Sequence, residues 1–293
     1  MPKNNCFPLS KKRDSYMQIA FTKMQGLGND FIIFDNTSNT ISLTTEQIRF
    51  IAKRRFGVGC DQLLFVEASN KPNVDFRYRI FNADGEEVQQ CGNGARCFAR
   101  FVVDKGLTDK KNLVIETHSG LICPQIEANG DITVNMGVPR LDPVDIPFNA
   151  DKVELQYPIM VGTDLYKIGA VSLGNPHAVL LVDSIETAPV ETIGAKLSLH
   201  HRFPQRANVS FMQIIDNSNI KLRVYERGVG ETLACGTGAC AAVVVGRRLK
   251  RLDSIVTVNL PGGKLQIQWT GEENAAVLMT GPAVHVFEGT IEL

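Results

Sequence analysis

The sequence predicts an α/β (α+β) protein made of two related halves, each rich in strands and containing one prominent helix. The first observation is a repeat, because YRIFNADGEEVQQCGNGA (78–95) aligns without gaps on LRVYERGVGETLACGTGA (222–239), 144 positions later. The second is a series of short β-branched or aromatic segments bounded by Gly, Asn or Pro, which is typical of strands. The third is an apolar helical pattern directly after each Cys-Gly-x-Gly-Ala turn. Halves of roughly 130 residues can each bury a core.

The repeat extends well beyond the two turns. Identical residues meet in the pairs Arg79/Arg223, Glu87/Glu231, Cys91/Cys235, Gly92/Gly236, Gly94/Gly238 and Ala95/Ala239. Farther upstream, GLGND (26–30) resembles SLGNP (172–176) at nearly the same offset. Matching residues at matching distances from each turn predict two halves with the same local structure.

Composition excludes several classes of protein. The chain has 293 residues, 44% of them apolar, and its 31 basic and 31 acidic side chains leave no net charge to attract nucleic acid or an anionic membrane. No apolar run approaches the roughly 18 residues of a membrane helix. Residues 1–16 lack the apolar region of a secretory signal, so we expect a disordered extension, with a targeting segment or an alternative start upstream of Met17 as the other interpretations. Seven cysteines in so long a chain are expected to be free thiols in a reducing cytoplasm.

Most of the predicted elements are short segments in which apolar and polar residues alternate over only a few positions, which is typical of strands and not of helices. Strands are predicted at FIIFD (31–35), FRYRIF (76–81), LVIET (113–117), DITVN (131–135), AVLLV (178–182), KLRVYE (221–226), VTVNL (256–260) and KLQIQW (264–269). Asn129-Gly130 and Gly262-Gly263 are hairpin signals. Helices are predicted at ARCFARFVVDKG (95–106) and ACAAVVVGRRLKRL (239–252). The basic residues that end the second helix suit the helix dipole better than they suit a phosphate site.

Each repeated turn places a cysteine at the N-terminus of a helix, with two glycines behind it. Glycines allow a ligand to approach the backbone, and the free N–H groups of a helix start bind carboxylate or phosphate. The positive end of the helix also favours thiolate over thiol, lowering a pKa that is ordinarily about 8.5. The turns therefore predict an anion site and a reactive sulfur together.

Four interpretations of the paired turns were weighed. GTGACA matches a dinucleotide-binding fingerprint, but GVGETLA before Cys235 resembles a loop rather than the strand that this motif requires. A zinc site from Cys91 with Cys97 and Cys235 with Cys240 has the wrong spacing, and Cys97 and Cys240 are better explained as core thiols. A Cys91–Cys235 disulfide is the third. In the fourth, two facing halves present sulfurs to opposite sides of one carbon, as inversion of a stereocentre by two bases requires.

From Met17 onward the sequence resembles the diaminopimelate epimerase family. The resemblance rests on KMQGLGNDF (23–31), FGVGCDQLL (56–64), RIFNADGEEVQQCGNGARCFARF (79–101), SLGNPHAVL (172–180), RVYERGVGETLACGTGACAA (223–242) and LPGG (260–263). It implies two pseudo-symmetric domains, each a mostly antiparallel sheet or barrel wrapped around a central helix. It also implies interconversion of LL- and meso-diaminopimelate, on the path to lysine and peptidoglycan precursors, without pyridoxal phosphate, another cofactor or a metal.

The resemblance further implies a role for each site residue. Cys91 and Cys235 would be the acid/base thiols, and helix-start amides would hold the reacting carboxylate, namely those of Gly92, Asn93, Gly236 and Thr237. The matching substrate-binding positions are Asn29, Gln62, Asn82, Asn175, Asn208, Glu226 and Arg227. Such amides bind both carboxylate and ammonium, and an arginine grips a carboxylate with two bonds. His177 and Glu226 would modulate a cysteine pKa, although a hydrogen-bonded core histidine is the ordinary interpretation of His177 without the motif.

Two other functions stay open. A proline or hydroxyproline racemase-type enzyme uses similar paired thiols, but its ring substrate would not need Asn29, Asn82, Asn208 and Arg227 for a distant second end. A thiol-redox or zinc-binding protein is the other. The expected partner is diaminopimelate, with no nucleic acid or membrane, and the sequence leaves a homodimer open. We expect one half at 17–135 plus 281–293 and the other at 136–280.

Overall fold

The computed structural model describes residues 17–88 and 92–293. The extension expected at 1–16 and the predicted catalytic residue Cys91 lie outside these ranges. Within them, no helix is long and apolar enough to cross a membrane.

The described elements are mostly short strands. The helices are α1 (Thr45–Ala52), α2 (Gly92–Asp104), α3 (Ala195–Ser198, preceded by a π-helical turn at Val190–Gly194) and α4 (Gly236–Arg248). The strands are β1 (Gln18–Gly26), β2 (Asn29–Asn36), β3 (Gln62–Ala68), β4 (Phe76–Asn82), β5 (Glu87–Val88), β6 (Ile115–Thr117), β7 (Gly120–Ile122), β8 (Gln125–Ile126), β9 (Ile132–Asn135), β10 (Tyr157–Val161), β11 (Asp164–Ser172), β12 (Pro176–Leu181), β13 (Asn208–Asp216), β14 (Asn219–Glu226), β15 (Gly230–Thr232), β16 (Ile255–Leu260), β17 (Gly263–Gln268), β18 (Leu278–Gly281) and β19 (Val284–Glu292).

These strands form two sheets, of eight and eleven strands, that share the connectivity of their central strands. The first has the order β19-β1-β2-β3-β4-β6-β7, with β5 on β4, and the second has the order β10-β11-β12-β13-β14-β16-β17-β18-β9-β8, with β15 on β14. Most described pairs are antiparallel, but β2–β3 and β4–β6 are parallel in the first sheet, as β12–β13 and β14–β16 are in the second. The parallel pairs occupy equivalent places, which confirms two pseudo-symmetric, mostly antiparallel halves.

Each sheet curves around one apolar helix. In the first half, Phe98 and Val102 of α2 are fully buried in a core shared with β1–β4. In the second, the middle of α4 is lined by small side chains, so strands approach closely; a Cβ added at Gly169 of β11 would lie 2.4 Å from Val245 Cγ1. The middle of α4 is buried on all sides, which explains why its residues are apolar on every face of the helix.

All eight predicted strands and both predicted hairpin turns are confirmed. The two predicted helices are also confirmed, but both begin three residues earlier, at the turn glycines Gly92 and Gly236, and end before Gly106 and Leu252. The sequence interpretation missed α1, a helix of eight residues that starts at a capping box between Thr44 and Gln47. So short a helix carries little periodicity, and its start depends on side-chain hydrogen bonds.

The chain crosses between the halves at two places. Strand β19, near the C-terminus, returns to pair with β1 of the first sheet. Strand β9 pairs with β18 of the second sheet, whereas Ile132 and Val134 of β9 pack into the core around α2. Because β9 belongs to one half by hydrogen bonds and to the other by packing, the expected division at residues 135 and 281 stays a prediction.

The repeat detected in the sequence is visible in atomic detail. Phe81 pairs with Glu87 in the first sheet, and Tyr225 pairs with Glu231 at the same register in the second. Helices α2 and α4 each have 13 residues and begin at equivalent glycines.

Candidate active site

In the first half, three predicted site residues lie on neighbouring strands at one edge of the sheet. Asn29 and Gln62 begin β2 and β3, which run parallel, and Asn82 ends β4, which runs antiparallel to β3. Gln62 is directly opposite Asn82, and its Nε2 donates to Asn82 Oδ1 at 2.9 Å. Strand direction therefore collects three amides from distant parts of the chain.

The second half repeats this arrangement. Asn175 precedes β12, Asn208 begins the parallel strand β13, and Glu226 ends the antiparallel strand β14. The backbone N–H of Arg227 donates to Asn208 Oδ1 at 2.9 Å, and Arg227 Nη1 donates to the carbonyl of Gln205 at 2.9 Å. Glu226 occupies the position that Asn82 has in the first half, so a carboxylate stands there in place of an amide.

The N-termini of α2 and α4 converge on the same methionine. A Cβ added at Gly92 would lie 2.9 Å from Met279 Cε, and one added at Gly236 would lie 2.9 Å from Met279 Sδ and 3.6 Å from Asn93 Oδ1. At both turns a Cβ would therefore displace the flexible end of the Met279 side chain. Asn93 Nδ2 donates to Asn29 Oδ1 at 3.3 Å, whereas the buried Asn93 Oδ1 has no hydrogen-bond partner among the described residues. Two helix starts, each suited to an anion, face one small region.

Cys235 is a buried residue at the N-cap of α4, 4% exposed. Its Sγ donates to Glu226 Oε2 at 3.3 Å and lies 3.6 Å from Thr237 Oγ1. Burial raises the pKa of the Cys235 thiol well above its ordinary value, and the Glu226 carboxylate raises it further, against the opposing hydrogen bonds of Thr237 and the Gly238 amide. The helix start acts in the predicted direction through the Gly238 amide, but desolvation and a neighbouring negative charge outweigh it, so the expected net lowering of the Cys235 pKa is wrong.

The Glu226 carboxylate is held at both oxygens. Thr232 Oγ1 donates to Oε1 at 2.6 Å, while Oε2 accepts from Cys235. The sequence interpretation gave Glu226 a role but missed Thr232, since nothing in the local pattern marks a threonine six positions away.

His177 is fully buried and reaches Cys235 only through other side chains. Its Nε2 lies 3.0 Å from Asn175 Oδ1, and Asn175 Nδ2 donates to Thr237 Oγ1 at 3.4 Å. Burial, with the positive charge of Arg227 adding to it, lowers the pKa of His177 to about 3, so the ring is neutral near pH 7. The pKa-modulating role that the resemblance implied for it stays a prediction.

A charged network lies behind Asn29 and was also missed. Asn29 Nδ2 donates to Asp61 Oδ2 at 2.9 Å, and Arg54 Nη2 bonds both Asp61 and Asp30 at 2.7 Å. Burial opposes ionisation of Asp30, but hydrogen bonds from Arg54 and Lys23 outweigh it and lower its pKa to about 2. Asp61 stands next to Gln62 in FGVGCDQLL, a proximity that could have drawn attention to it.

The other cysteine interpretations were partly confirmed. Cys97 and Cys240 are fully buried inside α2 and α4, as core thiols should be. The segment before Cys235 is not all loop, because β15 forms within it. That strand is antiparallel to β14, however, and a dinucleotide-binding turn follows a strand of a parallel sheet.

Comparison with known proteins decides the family. The sequence profile described as "Diaminopimelate epimerase" matches residues 21–141 and 169–286. A protein named diaminopimelate epimerase from Thioalkalivibrio sulfidiphilus is 57% identical over 278 residues, which is 94% of this chain and 100% of that one. Its namesake from Azoarcus sp. is 56% identical over 277 residues, covering 94% and 100%. The chain belongs to the diaminopimelate epimerase family.

Membership of this family makes the protein an isomerase that acts on amino acids. More distant solved structures share the fold of the family. A phenazine biosynthesis protein of the PhzF family from Enterococcus faecalis has a TM-score of 0.67 at 16% identity, covering 94% of this chain and 100% of that one. A hydroxyproline epimerase from Agrobacterium vitis has a TM-score of 0.66 at 13% identity, covering 94% and 93%. Identities this low support the diaminopimelate epimerase fold and say nothing about substrate.

Proposed function

We propose that this protein interconverts LL- and meso-diaminopimelate by a two-base mechanism in which Cys91 and Cys235 are the acid/base groups. The observation that carries the proposal is the convergence of the two equivalent helix starts on Met279, with the Cys235 thiol at one of them. Each helix start follows a cysteine in the sequence, which supports a role for both Cys91 and Cys235 at this one region.

The proton balance of the reaction requires one thiolate and one thiol. The thiolate removes the α-hydrogen as a proton, and the electron pair of the C–H bond stays on the substrate, where the carboxylate spreads its charge. The thiol then delivers its proton to the opposite face of the carbon, which inverts the stereocentre and exchanges the roles of the sulfurs. Cys235, whose pKa is raised by burial and by Glu226, suits the role of proton donor.

The backbone N–H groups of the helix starts suit the reacting carboxylate. We assign it to the amides of Gly92, Asn93, Gly236 and Thr237, because unpaired N–H groups and the helix dipole both favour an anion there. Glu226 and His177 are assigned to tuning the thiols. The ends of the zwitterionic substrate are assigned to the polar side chains at the two sheet edges, namely Asn29, Gln62, Asn82, Asn175, Asn208, Glu226 and Arg227.

Proton NMR in D2O with LL-diaminopimelate and no added cofactor tests this proposal. We expect deuterium at an α-carbon together with formation of the meso isomer. L-proline and trans-4-hydroxy-L-proline are the matched control substrates, because the hydroxyproline epimerase shares the fold. Exchange of the ring amino acids alone, or no exchange of any substrate, would reject the assignment.

A cytoplasmic location is part of the proposal, since both proposed catalytic groups must stay reduced thiols. Light scattering would determine whether the protein is a homodimer.

A further inference from the structure

The hairpin that precedes Cys235 is joined by a two-bond ion pair. Arg223 on β14 donates from Nε to Glu231 Oε1 at 2.6 Å and from Nη2 to Glu231 Oε2 at 2.7 Å. Both side chains are largely shielded, at 27% and 21% exposed. Parallel N–H···O bonds between a guanidinium and a carboxylate fix orientation as well as distance.

The ion pair and the site lie on opposite faces of this hairpin. Successive side chains of a strand alternate between faces, so Glu231 and its neighbour Thr232 point in opposite directions. Glu231 is held by Arg223 on the outer face, whereas Thr232 donates to Glu226 on the inner face, at 2.6 Å. An ion pair that fixes the Glu231 side chain on one face of β15 therefore also fixes the Thr232 side chain on the opposite face.

Strand β15 is short, and its backbone pairs only with Val224, Tyr225 and Glu226 of β14 among the described strands. It contains three residues, and two glycines with positive φ lie at its start, Gly228 at 78° and Gly230 at 104°. Glycine in such positions leaves the backbone more freedom than any other residue does. The Arg223–Glu231 pair thus adds a two-bond side-chain restraint to the backbone pairing of the segment that leads into Cys235.

The first half has the same ion pair at the same register. Arg79 donates from Nε and Nη2 to the two oxygens of Glu87, both at 2.9 Å. The inner-face residues differ, however, because Val88 stands where the second half has Thr232. The pair recurs although the residues beside the site have changed, so it serves the geometry of the turn.

We propose, on the basis of the function proposed above, that Arg223 and Glu231 are a positioning pair for proton transfer by Cys235. By holding β15, they direct Thr232 at the Glu226 carboxylate and thereby keep that carboxylate against the Cys235 sulfur. They touch neither the substrate nor the sulfur.

The test uses two variants. Glu231→Gln keeps the size of the side chain but loses its charge and one acceptor oxygen. Arg223→Lys keeps the positive charge but loses the planar guanidinium that donates two parallel hydrogen bonds. Lys221→Gln is the matched control, because Lys221 lies on the same strand but pairs with Glu186 at 2.7 Å and not with a residue of β15. Three quantities are measured in the full-length protein: kcat and KM for diaminopimelate, the melting temperature, and the ratio of Cys235 to Cys91 alkylation by iodoacetamide near neutral pH.

We expect Glu231→Gln and Arg223→Lys to lower kcat about tenfold or more, with KM changed less than about twofold, because misplacement of a reacting group acts on the chemical step. The alkylation ratio should rise about threefold or more, since a sulfur released from Glu226 forms thiolate more readily. Lys221→Gln should change neither. An unchanged kcat, or a lower kcat with an unchanged ratio, would overturn the proposal. If the wild-type protein did not turn over diaminopimelate, the function proposed above would fail, and the alkylation ratio alone would decide whether the pair positions Cys235.

Discussion

Burial and the Glu226 carboxylate together raise the pKa of the Cys235 thiol, which favours its protonated form before substrate binds. A thiol in this state is a poor nucleophile but a suitable proton donor. Its hydrogen bond to Glu226 also fixes the direction of the S–H group. The acid/base chemistry of Cys235 therefore depends on the Glu226 side chain of β14 as well as on the start of α4.

Replacing either Cys91 or Cys235 with alanine should abolish epimerisation while leaving α-proton exchange of one stereoisomer. A substrate of given handedness points its α-hydrogen at one sulfur, so the remaining thiol can act as base for one isomer and not for the other. Deuterium incorporation from D2O into LL- and meso-diaminopimelate, measured separately, checks this. The two variants should therefore exchange the α-proton of opposite stereoisomers. A variant that exchanged both isomers would point instead to a single base.

His177 should make the protein less stable as pH falls below about 6.5. Its folded-state pKa of about 3 lies below the ordinary value of 6.5, so unfolding takes up a proton between these values. The contribution of this group to stability is full above pH 6.5 and declines by about 1.4 kcal/mol per pH unit as pH decreases through that window. Urea unfolding of the wild type and His177→Gln should therefore differ in slope, by about 2 kcal/mol between pH 7 and pH 5.

The control for this experiment is Leu121→Ala, which shortens an exposed side chain that has no titratable group. It should keep the wild-type dependence on pH. Parallel stability curves for the wild type and His177→Gln would mean that His177 is not buried in its neutral form in solution.

At the scale of elements, the starts of α2 and α4 depend on the side chain between them. Met279 of β18 contacts both turns, and neither glycine has room for a Cβ without movement of the Met279 side chain. Methionine is flexible enough to fill such an irregular gap. The spacing of the two helix starts is therefore set by a residue outside both turns.

Gly236→Ala should lower turnover and cost about 1 to 3 kcal/mol of stability, as overpacking of a filled core does. The same change in a Met279→Ala background should cost less, because the atoms that clash are gone. Urea unfolding of the four proteins of this cycle measures the coupling directly. Equal costs in both backgrounds would show that Met279 does not limit the approach of α4.

Across the whole molecule, one residue of the first half is built into the core of the second. Leu27, in the turn between β1 and β2, is 6% exposed and packs among the buried residues around α4. It has a φ of 56°, which is unusual for a leucine. The second half accommodates it with Gly262, where an added Cβ would lie 2.0 Å from the Leu27 carbonyl oxygen. The halves are interlocked at this point as well as through β9 and β19.

Leu27→Ala should lower the free energy of unfolding by about 2 to 4 kcal/mol, because it leaves a cavity where the halves meet. Leu121→Ala is the control, since that leucine is 57% exposed and should cost little. Urea unfolding followed by tryptophan fluorescence suits the comparison, because Trp269 is buried in the same core as Leu27. Equal stabilities of the two variants would contradict an interlocking role.

The sequence alone determined the repeat, eight of the nineteen described strands, the two central helices and the turns on which the site is built. These features are local, since strand and helix periods and glycine turns are written in neighbouring residues. Recognition of the family motifs supplied the site residues, which proximity in sequence could not have grouped.

Only the tertiary structure decided which of these features meet. The alignment of Asn29, Gln62 and Asn82 depends on parallel pairing of β2 with β3, and β9 joins a sheet whose other strands lie far away in the chain. Such pairings join residues of large sequence separation, and no local pattern encodes them. The protonation of Cys235 was decided in the same way, because desolvation and the Glu226 carboxylate exist only once distant strands have enclosed the sulfur.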